Sequence, residues 1–141
     1  MALPSIGGGR QFGDGNLNEV VLGTRPAPAT MTSTASITAA QITTGLILGS
    51  PGSSAASYTL PTVVLLEALL VNAKIGSTFD FSVINVDGSG SGVITIATAT
   101  GWTIGSSGSQ GLMTIDAVAG TTQMYRARKT GTAAWALYRV A

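Results

Sequence analysis

The chain has 141 residues, of which only 9% are charged, against roughly 25% in an ordinary soluble domain, and its net charge is +1. It contains no cysteine and no histidine. Such totals allow one domain, exclude a disulfide framework and thiolate chemistry, and remove the commonest general base together with the commonest zinc ligand, which argues against an enzyme. A surface with so little charge is polar through hydroxyls and backbone, or is hidden against other chains, so a permanent assembly is expected.

The first segment, residues 1–33, has no sustained hydrophobic period. It opens with LPSIGGGRQFGDGNLNE and closes with TRPAPAT, in which Pro26 and Pro28 favour extended backbone. No basic and then apolar leader is visible in it. Its apolar residues are sparse but spaced: Leu3, Ile6, Phe12, Leu17, Val20, Val21 and Leu22. The expectation is an extended N-terminal arm and Pro-containing connector over 1–33, ahead of a compact β-domain over 34–141. Ile6, Arg10, Gln11, Phe12, Asn16, Asn18 and Glu19 are the candidate contact residues, being the side chains able to bond or anchor among glycines. Glycines 7, 8, 9, 13 and 15 let the backbone lie close to a surface.

Two motifs in this segment fail on their chemistry. Asp14, Asn16 and Asn18 match the first three ligand positions of a calcium loop, but Glu19 stands where the turn glycine belongs and Arg25 where the bidentate glutamate belongs. The GGGR run lacks the lysine and the strand and helix that flank a phosphate loop.

Beyond the arm, QITTGLILG places Leu46, Ile47 and Leu48 in a short strand stopped by GSPGSS, and SYTL follows with Tyr58 and Leu60 on one face. The run LPTVVLLEALLVNAKIG predicts one helix, with Thr62 as N-cap and Gly76 at the exit. Apolar residues surround it from Val63 to Val71, which predicts a short helix buried on most sides with Glu67 on the wet face. This stretch is far shorter than the ~20 residues that span a bilayer, so no membrane partner is expected.

Clean alternation in STFDFSVIN puts Phe79, Phe81 and Val83 on one face and Asp80 and Ser82 on the other. VITIATA, GWTIG and LMTIDAV read as further strands between Gly- and Ser-rich loops. QMYRARK and WALYRV, separated by TGTAA, read as a closing hairpin. The predicted fold class is all-β, an antiparallel β-sandwich or barrel of jelly-roll type with about seven or eight strands and one short buried helix.

Reactive constellations are not found. Asp80, Asp87 and Asp116 fall on outer faces or loops, and no base stands near a serine. No catalytic residue, metal or other cofactor is therefore expected. Trp102, Trp135, Tyr58, Tyr125 and Tyr138 sit at alternating strand positions, which favours core or subunit packing over a sugar-stacking platform. Arg126, Arg128, Lys129 and Arg139 form a C-terminal basic group with no acid nearby in sequence, a candidate interface for an acidic neighbouring surface. Four charges are too few for a nucleic-acid footprint, so nucleic acid is not an expected partner.

Taken together, PSIGGGRQFGDGNLNE, LPTVVLLEALLVNAKIGSTFDFSVIN and RARKTGTAAWALYRV resemble segments of small virion proteins of tailed bacteriophages, in particular capsid decoration (cement) proteins. That resemblance implies a homotrimer on the capsid exterior, seated where major capsid protein subunits meet and holding them together. A receptor- or glycan-binding head of a phage tail fibre is the alternative reading.

Overall fold

A computed structural model of the chain describes residues 23–87, 91–105 and 113–141. Among these, the strands are β1 (Ala29–Met31), β2 (Ala35–Ser36), β3 (Leu46–Gly49), β4 (Ala56–Thr59), β5 (Thr78–Asn85), β6 (Ile94–Ala97), β7 (Trp102–Ile104), β8 (Thr114–Ile115), β9 (Thr121–Gly131) and β10 (Ala134–Arg139). Two short helices, α1 (Ala39–Ile42) and α2 (Val63–Leu69), lie between strands. One sheet has the order β1-β3-β5-β9-β10-β7 and the other β2-β4-β6-β8.

The protein is mostly β, as its alternation predicts, but the pairing is mixed rather than antiparallel. β1 with β3, β3 with β5, β2 with β4, β4 with β6, and β10 with β7 all run parallel. Only β5–β9, β9–β10 and β6–β8 are antiparallel. The first six strands alternate between the two sheets, so each pair of strands lies beside the next pair like successive coils. This order corrects the expectation of an antiparallel jelly-roll, in which hairpins and Greek keys join the strands. The GSPGSS turn does not close a hairpin; it carries the chain from β3 in one sheet to β4 in the other.

One core fills the space between the sheets. Ile47, Phe81, Val83, Tyr125 and Leu137 come from the six-stranded sheet, and Tyr58, Ile94, Ile96 and Ile115 from the four-stranded one. The sheets approach closely at Gly49, where a Cβ would run into the Tyr58 ring and the Ile94 side chain. Tyr58 then donates its hydroxyl proton to the Met31 carbonyl at 2.9 Å, tying the sheets together near their edge. At the other end of β5, buried Asn85 donates to the carbonyls of Gly92 (2.9 Å) and Asp116 (3.0 Å) and accepts from the Asp87 amide (3.1 Å). A single side chain thus satisfies backbone groups from two loops, β5–β6 and β8–β9, which a buried turn region requires.

The helices depart from expectation. α1 is closed by a reciprocal capping box, with the Gln41 amide donating to Thr38 Oγ1 and the Thr38 amide donating to Gln41 Oε1. The T-x-x-Q spacing that encodes it, Thr38 to Gln41, is present in the sequence just ahead of the run that forms β3. In α2 only Val63 and Leu66 are buried, while Val64 and Leu65 are exposed, so the helix buries one stripe and not most of its surface. Thr62 occupies the N-cap position without a side-chain capping bond, and the helix ends at Leu69, well before Gly76.

Candidate functional site

The proposed arm contacts Ile6, Arg10, Gln11, Phe12, Asn16, Asn18 and Glu19 lie outside the described residues. The C-terminal basic residues lie within them, and the fold pairs Arg126 and Lys129 with acids. Arg126 meets Asp80 across the β5–β9 register, donating from Nε to Oδ1 at 2.7 Å and from the second terminal nitrogen to Oδ2 at 2.8 Å. These hydrogen bonds hold the Asp80 carboxyl below its ordinary range and raise the Arg126 guanidinium. Lys129 lies 2.7 Å from Glu67 of α2. Arg128 and Arg139 are exposed.

Glu67 is not on a wet face. Its Oε1 also accepts a hydrogen bond from Trp135 Nε1 at 3.1 Å, and the side chain is half-buried. The hydrogen bond from Lys129 is the main reason its carboxyl is held below the usual value, with Trp135 adding to it. Sequence reading had no signal for this pair, because Glu67 and Lys129 are joined only when α2 folds over the β9–β10 hairpin.

An open groove of about 730 Å³ runs beside α2, with Leu69, Leu70, Val71 and Phe79 among its walls and Arg25 and Asp80 supplying charge. Thr43, Ser77 and Thr78 supply the hydroxyls of its lining. Among the described residues, no three His, Cys, Asp or Glu side chains are grouped to hold a metal, and no helix is long and apolar enough to cross a membrane. Four of the five Trp and Tyr side chains are core: Tyr58, Tyr125, Trp102 and Trp135 are all buried, leaving Tyr138 exposed.

Two apolar surfaces lie outside the core, one exposed and one half-buried. The first is a ridge on α2 and the turn after it, formed by Val64 (69% exposed), Leu65 (60%), Leu69 (49%), Val71 (75%) and Ile75 (68%). Val64, Leu65 and Leu69 fall on the side of the helix away from Val63 and Leu66, where spacings of four residues place side chains together. The second is the outer face of the six-stranded sheet. There Leu46 and Leu48 of β3 register with Ser82 and Ile84 of β5, and Ser82 with Met124 of β9. These side chains alternate with core residues, and Leu46, Leu48, Ile84 and Met124 neither belong to the core nor pack against it.

Comparison with family models, with curated proteins and with solved structures returned no match.

Proposed function

We propose that the chain is a non-catalytic structural protein of a phage virion, a homotrimeric cement protein on the capsid exterior that steadies contacts between major capsid subunits through its N-terminal arm. In this reading the arm and connector precede β1, and the β-sandwich body that self-associates begins at Ala29, ahead of the boundary at 34 expected from the sequence. The observation that carries it is how the chain meets the body. Residues 23–28 are exposed in an unbroken run and feed β1, the edge strand of the larger sheet, so the described chain enters the body at a sheet edge and not through the core. The proline-containing run TRPAPAT stiffens that exit. An arm that orders on a partner spreads contact over a wide surface at an entropic cost.

The burial of four of the five Trp and Tyr side chains takes away the stacking platform that a glycan-binding fibre head would need. The low charge and the uncovered apolar ridge suit a protein that spends its life in an assembly.

Deletion of residues 2–24 is the direct test. The truncated protein is expected to keep its thermal transition and its oligomeric mass while losing co-sedimentation with capsids. Undiminished capsid binding would overturn the role given to the arm.

A further inference from the structure

We propose that residues 17–22, LNEVVL, fill the groove beside α2 of their own chain. The inference goes beyond the virion reading and stands without it, since it concerns a single chain.

The tether is short. The described chain begins at Gly23, and Arg25, two residues on, is itself a wall of the groove. A residue spans at most ~3.6 Å of extended chain, so Leu22 lies within ~11 Å of Arg25 and Val20 within ~18 Å. A segment held this closely meets the groove at an effective concentration on the order of mM, which a separate partner seldom reaches.

The walls suit its side chains. Leu69, Val71 and Phe79 line the groove, and Leu69 and Val71 are 49% and 75% exposed, so apolar surface stands open there. At about 730 Å³ the groove lies within the ~300–1,000 Å³ of sites that enclose a ligand. Among residues 1–28, VVL at 20–22 is the one run of three large apolar side chains. Moving such side chains out of water is favourable in proportion to the area covered.

Charge points the same way. Arg25 lines the groove, and Lys74 is exposed next to Ala73, another of its walls. Neither has an acid partner among the described residues, and Asp80, the acid of the lining, is taken by Arg126. Residues 11–22 carry Asp14 and Glu19 and no basic side chain, so an acidic stretch is tethered beside a basic rim. Seated there, the segment fixes the side of the body from which residues 1–16 depart. Its six residues lose chain freedom on docking, which offsets much of the burial, so removing them bares the groove and leaves the fold standing.

The chain has no cysteine, so paired cysteines report contact without background. Val20→Cys is combined with Val71→Cys in the full chain. Val21→Cys with Val71→Cys is the second pair, because neighbouring side chains of an extended segment face opposite ways. Val71 is exposed, so both pairs are expected to keep the wild-type thermal transition. On mild oxidation at least one pair is expected to close within the chain, read by mass and by mobility in a non-reducing gel. Adding Leu22→Asp is expected to slow closure several-fold, because the groove then has to bury a carboxylate. Adding Glu19→Lys is expected to slow it as well, with a difference that shrinks as salt rises.

Closure of neither pair would overturn the inference. So would a rate that either added substitution leaves unchanged, since an undocked tether collides regardless of those side chains. Mixing the two single-cysteine proteins, Val20→Cys and Val71→Cys, tests the remaining occupant. Disulfide-linked dimers formed as fast as the closure within one chain would put the segment on a second copy and overturn the assignment. Capsid co-sedimentation is read separately, so a failed cross-link with capsid binding intact counts against the groove, and the reverse against the virion role.

Discussion

Tyr125 shows how a single residue can sit in the core at a cost. Its ring stacks on Phe81 at 5.4 Å, and the residue is fully buried. Its hydroxyl, however, has no hydrogen-bond partner among the described residues. An unmade bond of this kind costs about 1–3 kcal/mol. Tyr125→Phe keeps the stack and removes the orphan, so it is expected to raise stability by about 1 kcal/mol, read as a higher denaturant midpoint at constant slope. Burial pushes the phenol up to about 12. A raised value on this acid means that folding favours the protonated form. Its contribution is present below the ordinary phenol range near 10 and is lost as pH rises toward 12. The phenylalanine variant should therefore lose less stability than the wild type across that alkaline window.

Glu67 behaves in the opposite sense at the same scale. Its folded-state value is lowered, first by the hydrogen bond from Lys129. The stabilisation is full above the ordinary value of 4.5 and disappears as pH falls through the lowered one. Denaturation of Glu67→Gln and wild type, compared at neutral pH and at pH about 3, should show a shallower acid dependence in the variant. Parallel curves would mean that the Lys129 pair does not form in solution. Asp80 has the same sign and remains in both proteins, so the variant's acid dependence is reduced and not abolished.

At the scale of elements, α2 is too short to persist unaided, since isolated helices below ~12 residues are marginal in water. Tertiary bonds hold its start. Trp102 Nε1 donates to the Pro61 carbonyl at 2.7 Å, the Val63 amide to Thr100 at 3.1 Å, and the Trp135 amide to Gly101 at 2.9 Å. Gly101 lies at the centre of this clamp with φ of +93°, and a Cβ there would stand 2.7 Å from Val63 Cβ and 2.9 Å from the Ala133 carbonyl oxygen. Left-handed backbone costs a side chain ~1–2 kcal/mol, and overpacking adds ~1–3 kcal/mol. Gly101→Ala is expected to lower stability by about 2–5 kcal/mol in equilibrium unfolding. A loss under ~1 kcal/mol would show that the clamp yields easily. The clamp also fixes which stripe of α2 is buried, and so which residues are left to form the ridge.

At the scale of the whole molecule, the larger sheet joins two kinds of construction. Its β1-β3-β5 half is built of parallel coils that pass through the second sheet, and its β5-β9-β10 half of antiparallel neighbours. The coils place the chain's entry at the sheet edge, while the β9–β10 hairpin supplies Lys129 and Trp135 to hold α2. Removal of residues 2–24 leaves every strand and helix of this framework in the chain, and for that reason its expected effect falls on binding and not on folding.

Much of this was legible in the residues themselves. Alternation in TFDFSVIN, VITIATA and the last two strands assigns Phe81, Val83, Ile94, Ile96, Tyr125, Ala127, Trp135 and Leu137 to one face each, and all are buried. The face a strand residue takes follows from the pleat, which is local and repeats every two residues. Strand partners are not local. A period of two is the same in parallel and antiparallel sheets, and a Gly-Ser turn serves a hairpin or a corner between sheets equally well. Only the assembled chain decides that β3 lies beside β5 and not β4, that Glu67 meets Lys129, and that the apolar circumference of α2 is left half bare, because each depends on contacts between residues far apart in sequence.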